Sequence, residues 1–326
     1  MEIDLGPVTL KSGEEARLYH VIAPEPLWWD RVATFLAHKG HTFLWPMEVA
    51  FREGLSGLRM NCFECVLDGE VVGNITTVDA LERPVGILQH VFTNPDHRRK
   101  GICQQLMRVL GDDFLARGGQ AMFLSTGYDS PAHWIYHSFG FRAIAETGLM
   151  GWLPEEGFHA EYFSPGPVSV RDTQWPDWPC LDALYLTTGG WYLRGFLASQ
   201  YGHSSYEGAY PTMVEAREKG QVTDIKMLAK ADGAVMGHAF VGPDSRWRGN
   251  PYVLDFFVHP NFHGEAAKLL NGLSLPTDRK VQCYADGAAG ERCAALEAMG
   301  FAQEATLKRQ IKKGEEWVDV VAYARL

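Results

Sequence analysis

The pattern of apolar and polar residues predicts a strand followed directly by a helix between residues 87 and 110. Residues 87–93 are mostly apolar and stop at Asn94-Pro95, a turn signal that ends a strand. From Ile102 onward, apolar side chains recur at the spacing of a helix face. A short basic loop, residues 98–101, joins the two predicted elements.

The pattern of apolar and polar residues also predicts the other elements of the first half. Residues 1–15 look like a polar lead-in without a regular element. Asp68-Gly69 lies between two apolar runs, and this dipeptide favours the tight turn of a hairpin. The other predicted elements are a strand at 16–22, helices at 27–36 and 45–55, a helix at 102–117, a strand at 121–126, a helix ending at Gly140, and closing strands within 141–152.

The second half of the chain repeats the pattern of the first. Residues 154–167 are rich in Gly, Pro and Glu and predict a linker. Beyond it, apolar runs, turns and the Gly-Phe pair at 300–301 return about 160–165 residues after their first-half counterparts. A repeat this long indicates a duplicated domain. We therefore predict a first domain at 1–153, a linker at 154–167 and a second domain at 168–326.

The basic loop at 98–101 has the features of a phosphate-binding site. At a helix start, free backbone N–H groups and the positive end of the helix dipole attract anions. Gly101 allows the backbone to approach a ligand closely, and Arg98, Arg99 and Lys100 add positive charge. The spacing differs from the phosphate loop G-x-x-x-x-G-K-[ST] of nucleotide-binding proteins.

Two motifs resemble a known family. Arg98-x-x-Gly101-x-Cys103 resembles the R/Q-x-x-G-x-G/A loop of the Gcn5-related N-acetyltransferases (GNAT), with Cys103 where Gly or Ala is usual. About 30 residues later, the run from Ala132 through Tyr136 to Gly140-Phe141 resembles the family pattern A-x-x-x-Y-x-x-x-G-F. The order and spacing of the intervening elements agree, so the resemblance covers roughly residues 60–150.

The resemblance implies a fold and a coenzyme. The expected fold class is α/β (α+β): two tandem GNAT-like domains, each with a mixed, mostly antiparallel twisted sheet, splayed central strands and flanking helices. The expected co-substrate is acetyl-coenzyme A, with its pyrophosphate on the loop and its pantetheine arm in the gap between the splayed strands. The residues expected to bind it are Val91, Phe92, Thr93, Arg98, Arg99, Lys100, Gly101, Ile102, Cys103 and Asp129. Asp129 stands where the family often has Asn.

The expected reaction is direct transfer of an acetyl group to a primary amine. Tyr136 occupies the position of the family's general acid, and a phenol with a pKa near 10 is protonated at neutral pH. The alternative is a tyrosine packed in the core. Ile87 and Gln89, which align with the bases of some relatives, are not bases. His90, Glu64 and a water chain remain as candidates, although in a regular strand His90 would point to the other face.

The second copy lacks these residues. His263 and Ala266 stand where Arg98 and Gly101 stand, and Leu296 replaces Tyr136. We therefore expect a degenerate second domain without a coenzyme site, which shapes the acceptor pocket or mediates association. Near the start of the chain, Trp28, Trp29 and Trp45 either line an acceptor site or pack a core.

Composition limits the other classes of function. The 326 residues have a formal net charge of −10 with no basic tract beyond the loop, which argues against nucleic acid as a partner. No apolar run is long enough to span a membrane. An acidic start without a secretory signal and six scattered cysteines predict a cytoplasmic protein with reduced thiols. Cys62 and Cys65 lie in a predicted strand, so we expect no metal site.

The remaining predictions concern partners. The acceptor is expected to be a small-molecule or peptide amine, and homodimers are the commonest oligomers. The alternative function is a non-catalytic module that binds or senses acyl-coenzyme A.

Overall fold

The computed structural model describes residues 1–83, 85–221, 224–287 and 289–326. The chain forms two compact units that do not follow the chain order. The first unit consists of Met1–Phe158, Gln174–Ala183 and Ser205–Pro211, and the second of His159–Thr173, Leu184–Ser204 and Thr212–Leu326. The sequence-based boundary assigned 174–183 and 205–211 to the second domain, whereas both segments pack with the first unit.

The first half of the chain contains a mixture of strands and helices close to that predicted. The elements are β1 Glu2–Thr9, β2 Glu15–Ile22, α1 Pro26–Phe35, α2 His41–Glu53, β3 Leu58–Leu67, β4 Glu70–Ala80, β5 Val85–Thr93, α3 Ile102–Ala116, β6 Ala121–Ser125, α4 Pro131–Ser138, β7 Arg142–Ala143 and β8 Leu149–Trp152. The prediction of a polar lead-in was wrong, because these residues form β1. As an edge strand paired only with β2, β1 buries little and needs few apolar residues.

The strands of the first half form one sheet in the order β1-β2-β3-β4-β5-β6-β8-β7. Helix α3 covers one face, where its apolar side packs on residues of β3, β4 and β5 in one hydrophobic core. A Cβ atom at Gly73 on β4 would collide with Cγ2 of Ile102 at the start of α3. The missing side chain therefore lets the N-terminus of α3 lie directly on the sheet.

Strands β5 and β6 separate after a short parallel contact. Their pairing is confined to Val85–Ala121, Gly86–Met122 and Ile87–Phe123. The remainder of β5, residues 88–93, has no register with β6 and leaves an opening between the two strands. This is the splayed centre that the family resemblance implied.

The second half contains a second sheet of the same plan. Its elements are α5 Phe158–Tyr162, β9 Ser169–Asp172, α6 Asp177–Tyr185, β10 Leu193–Gly195, β11 Gln200–Tyr201, α7 Ala209–Glu218, β12 Asp224–Ala229, β13 Val235–Pro243, β14 Tyr252–Val258, α8 Ala266–Asn271, β15 Val281–Asp286, α9 Gly290–Ala298, β16 Ala302–Lys313 and β17 Glu316–Arg325. The order is β16-β17-β15-β14-β13-β12-β9, and β14 and β15 are parallel over Tyr252–Val281 and Val253–Gln282. The predicted fold class is confirmed. Within the described residues, no helix has both the length and the apolar character needed to cross a membrane.

Candidate active site

A cavity of about 590 Å³ lies beside the basic loop of the first unit. We call it the loop cavity; its lining residues are Lys11, Val91, Thr93, His97, Arg98, Arg99, Gly101, Ile102, Cys103, Gln104, Ser130, Pro131, Ala132 and Ile135. One wall is the free end of β5, one is the start of α3, and one is the start of α4. Basic side chains thus meet a helix N-terminus at one cavity.

Left-handed backbone shapes the loop. Arg99 has φ of +64° and Gly101 has φ of +87°, so the chain turns sharply into α3. A Cβ atom at Gly101 would lie 3.3 Å from Cγ of Lys11, in addition to the strain of positive φ. The backbone N–H of Lys11 donates to the carbonyl of Lys100 at 3.0 Å and anchors the loop to the turn after β1.

Seven of the residues predicted to bind the coenzyme line this cavity, and three do not. Those in the lining are Val91, Thr93, Arg98, Arg99, Gly101, Ile102 and Cys103. Lys100 instead pairs with Glu14, with 2.9 Å between Nζ and Oε1. Phe92 points to the other face of the sheet and packs against Phe35. Asp129 accepts a hydrogen bond from the indole of Trp134.

Several lining residues were not predicted. Lys11 belongs to the segment read as a lead-in, and Ser130 and Pro131 form the start of α4. The signal for α4 was present in the sequence, because Ser followed by Pro is typical of a helix start. Nothing in the sequence indicated that Lys11 lies near the loop.

A second, smaller cavity of about 150 Å³ is mostly polar. We call it the polar cavity; its lining residues are Lys39, Phe43, Leu88, Gln89, His90, Val91, Leu124, Ser125, Tyr136 and Glu207. Val91 lines both cavities. The polar cavity therefore adjoins the end of the loop cavity that lies in the opening between β5 and β6.

Strand β5 is irregular at His90. This residue has φ of +53°, and the register with β4 shifts between Asn74 and Thr76, as in a β-bulge. The Asn74 amide holds the bulge by donating to the His90 carbonyl at 2.6 Å. The expectation that His90 points away, which assumed a regular strand, is wrong. Its ring packs edge-on against Phe43 and lines the polar cavity with its neighbour Gln89.

His90 is a weak base in this position. Burial, with further effects of Lys39 and His38, lowers the pKa of His90 to about 3. Its Nε2 atom and both polar atoms of the Gln89 side chain are buried without a hydrogen-bond partner among the described residues. The polar cavity thus contains unsatisfied groups that a polar ligand can pair with.

Tyr136 reaches the same cavity from α4. Burial, followed by the Cys103 thiol and the Glu207 carboxyl, raises the pKa of Tyr136 far above its ordinary value. The phenol is therefore protonated across the physiological range and has a proton to donate.

Glu207 is the functional candidate that the sequence did not reveal. It lies in the segment Ser205–Pro211 of the first unit and lines the polar cavity with Tyr136. Burial and the nearby Asp182 raise the pKa of Glu207 to about 8, while Lys39 acts in the opposite direction. No motif surrounds this residue, and it follows Tyr136 by many residues, so no sequence signal could have placed it here.

The other candidates lie outside both cavities. Glu64 is fully buried on β3, and burial raises its pKa well above the ordinary value. Both of its carboxyl oxygens lack a hydrogen-bond partner among the described residues. Trp28 is buried against Tyr19 of β2, Trp29 is buried against Phe51 of α2, and Trp45 packs against Trp175. The three tryptophans therefore pack in the first unit and do not line the described cavities.

The equivalent opening of the second unit is filled by its own chain. The backbone N–H groups of Phe196 and Leu197 donate to Asp255 of β14 at 2.9 and 2.8 Å. The N–H of Tyr192 donates to Asp286 at the end of β15 at 2.8 Å. Residues 192–197, which include β10, thus bridge the two diverging strands.

Aromatic and cationic side chains complete this filling. Trp191 stacks on His263, which stands where Arg98 stands in the first half, with 4.6 Å between ring centroids. The buried Arg292 guanidinium lies 5.4 Å from the Trp191 ring centroid and donates to the Leu193 carbonyl. The space that the loop cavity occupies in the first unit is therefore packed in the second.

Comparisons with known proteins bear on the first unit. Residues 59–143 match the family model described as the acetyltransferase (GNAT) domain. No curated protein gives a significant match to the chain.

Solved structures of acetyltransferases resemble about half of the chain. A phosphinothricin acetyltransferase from Sinorhizobium meliloti, in complex with acetyl-coenzyme A, is 19% identical over 48% of this chain and 87% of its own, with a TM-score of 0.39. A ribosomal-protein-alanine N-acetyltransferase from Brucella melitensis is 19% identical over 48% and 98%, with a TM-score of 0.38. An N-acetyltransferase from Staphylococcus aureus is 16% identical over 49% and 98%, with a TM-score of 0.38. These scores are below 0.5, so the likeness to the GNAT superfamily rests on the sequence match, which covers residues 59–143 within the first unit.

Proposed function

We propose that the protein is an N-acetyltransferase that transfers the acetyl group of acetyl-coenzyme A directly to a primary amine. The observation that carries the proposal is the pair of adjoining cavities at the splayed strands of the first unit. One is lined by a basic loop at a helix N-terminus, and the other by Tyr136 and unsatisfied polar groups.

The loop cavity fits the coenzyme. Arg98, Arg99 and Lys11 supply positive charge for a pyrophosphate, and the start of α3 supplies its dipole. The positive φ of Gly101 keeps the backbone free of a side chain at the point of approach. The apolar part of the lining, which includes Val91, Ile102 and Ile135, suits the pantetheine arm. When bound, acetyl-coenzyme A supplies the acetyl group as a thioester.

Tyr136 acts as the general acid in this proposal. Its phenol stays protonated at neutral pH and gives a proton to the sulfur when the thioester bond breaks. The second unit has no part in coenzyme binding, because its opening is packed by residues 191–197. Its role is structural. The acceptor is a small molecule or peptide with a primary amine.

Calorimetric titration with acetyl-coenzyme A tests the binding step. We compare the wild type with Arg98→Ala and with Lys100→Ala as a matched control. Both variants remove one positive charge from the same loop, but only Arg98 lines the cavity. We expect Arg98→Ala to weaken binding at least tenfold and Lys100→Ala to change it less than threefold.

Turnover is measured as thiol release in the presence of a panel of primary amines. We expect amine-dependent release by the wild type, and a loss of about 10²-fold or more in kcat for Tyr136→Phe. Binding of the coenzyme without amine-dependent release would favour the non-catalytic sensor. Absence of binding would contradict the acetyltransferase proposal as a whole.

A further inference from the structure

The proposed reaction needs a base, and the strand residues of the first unit do not supply one. Gln89 is an amide, and His90 with a pKa of about 3 holds a proton poorly. Glu64 lies outside the lining of both cavities, and burial raises its pKa well above the ordinary value. The titratable groups that line the polar cavity are Lys39, His90, Tyr136 and Glu207.

Hydrogen bonds to its backbone hold Glu207 at the polar cavity. Its carbonyl accepts from the indole of Trp178 at 3.1 Å, and its backbone N–H donates to Oγ of Ser205 at 3.1 Å. The buried Asp182 of α6 accepts from the Ser205 hydroxyl at 3.2 Å and from the Tyr206 N–H. The backbone around Glu207 is thus fixed on both sides, within the first unit.

The carboxyl of Glu207 is left for a ligand. Among the described residues, no group donates a hydrogen bond to its oxygens, although its backbone is fully anchored. The facing Gln89 amide and His90 Nε2 are buried and unpaired as well. Besides the Lys39 amine, the polar cavity contains a carboxyl group, an amide and a neutral imidazole, whose unpaired atoms can accept the N–H groups of a ligand ammonium.

We propose that Glu207 binds the ammonium group of the acceptor and takes its first proton, so that the segment 205–211 completes the active site of the first unit. This inference rests on the proposed acetyltransferase function. It defines the acceptor as an amine that is cationic in solution and presents a slender –CH₂–NH₃⁺ end to a cavity of about 150 Å³.

The proton inventory of the step balances. Glu207 takes one proton from the ammonium, the neutral nitrogen bonds to the acetyl carbon, and the carbon–sulfur bond breaks. Tyr136 gives its proton to the departing sulfur and regains one from the nitrogen as the amide forms. Glu207 later releases its proton to solvent, so the products are the amide, the free thiol and one proton.

The groups around Glu207 set the pH at which it acts. Burial has the largest effect and raises the pKa of Glu207. The nearby Asp182 raises it further and Lys39 lowers it, so that the pKa is about 8. His90 is neutral in this range, and Tyr136 is protonated. A base with a pKa near the working pH is well matched to proton abstraction.

The test compares Glu207→Gln with the wild type in steady-state kinetics. We expect kcat/KM for cationic amines to fall at least 10²-fold at pH 7.5, and the rise of kcat/KM through about pH 8 to disappear. The affinity for acetyl-coenzyme A, measured by calorimetry, should stay within threefold. Glu53→Gln, an exposed carboxyl at the end of α2, is the matched control and should behave like the wild type.

A second acceptor separates catalysis from damage to the fold. Hydroxylamine is largely neutral at pH 7.5 and needs no base, so Glu207→Gln should reduce its acetylation much less than that of a cationic amine. If Glu207→Gln changes neither the acetylation of the two acceptors nor the pH profile while the wild type is active, the proposed role of Glu207 is contradicted. The acetyltransferase proposal is not affected by that result. If the wild type acetylates no amine, both proposals fall.

Discussion

At the scale of residues, burial in the first unit shifts the pKa values of neighbouring side chains in different directions. Burial raises the pKa of Tyr136 and of Glu207 and lowers that of His90 to about 3. An acid that keeps its proton and a base poised near neutrality therefore share one small cavity. Such opposed environments are typical of acid–base catalysis.

Asp182 provides a test of this arrangement that leaves Glu207 in place. In Asp182→Asn the amide oxygen can still accept from Ser205 and Tyr206, but the negative neighbour of Glu207 is gone. Because that neighbour raises the pKa of Glu207, its removal should move the rising limb of the pH profile of kcat/KM to lower pH, by up to about one unit. An equal loss of activity at every pH, with an unmoved limb, would instead indicate a purely structural role.

Glu64 gives a prediction on stability. Its buried carboxyl has a raised pKa, so the folded state is penalised increasingly as pH rises above the ordinary value of 4.5. Glu64→Met should therefore increase the free energy of unfolding by about 1–3 kcal/mol at pH 8 and by less at pH 5. Urea unfolding at the two pH values measures the difference. Destabilisation at both pH values would mean that Glu64 has a favourable partner.

At the scale of elements, the contact between β4 and α3 sets the position of the loop. Gly73 has no room for a side chain against Ile102, whereas a Cβ atom at Gly111 on α3 would lie 3.8 Å from Trp152, an ordinary contact. A side chain therefore has no room at Gly73, which faces α3, but fits at Gly111, which belongs to α3.

Matched alanine substitutions test this difference by thermal unfolding and calorimetry. Gly73→Ala should destabilise the protein by about 1–3 kcal/mol and weaken coenzyme binding, because α3 must shift. Gly111→Ala should stabilise it by about 0.5–1 kcal/mol and leave binding unchanged, because alanine favours the helix. A Gly73→Ala variant with wild-type binding would show that the loop does not depend on this contact.

The elements also show what the sequence could and could not predict. The hairpin at Asp68-Gly69, the loop at Arg98–Gly101 and helix α3 follow from local signals, and each lies where it was predicted. The bulge at His90 could not be predicted, because the amide of Asn74 from a neighbouring strand stabilises it. Glu207 was missed for the same kind of reason, since only tertiary packing brings residues 205–211 to Tyr136.

At the scale of the whole molecule, the chain carries two sheets of one plan, and the opening between the central strands is lined as a cavity in the first unit and packed in the second. The sequence predicted the duplication and the loss of Arg98 and Tyr136 equivalents. It did not predict that Trp191 and residues 192–197 fill the opening of the second unit, because this packing depends on contacts with Asp255, His263 and Asp286, which are distant in sequence.

The filled cleft predicts the stoichiometry of binding. Calorimetry should give one acetyl-coenzyme A per chain. His263→Ala, at the position equivalent to Arg98, should leave the dissociation constant within about twofold, whereas Arg98→Ala should weaken binding at least tenfold. A second site, or a loss of binding in His263→Ala, would contradict a packed cleft.

The discontinuous first unit has a consequence for biosynthesis and for gene architecture. Its chain resumes at Gln174–Ala183 and is completed by Ser205–Pro211, which ends 53 residues beyond Phe158. At 5–20 residues per second, a nascent chain waits roughly 3–10 s between the emergence of Phe158 and that of Pro211. For most of that time the polar cavity lacks Glu207. A gene split within 154–167 would separate the two copies of the repeat, yet it would yield an N-terminal product without its base.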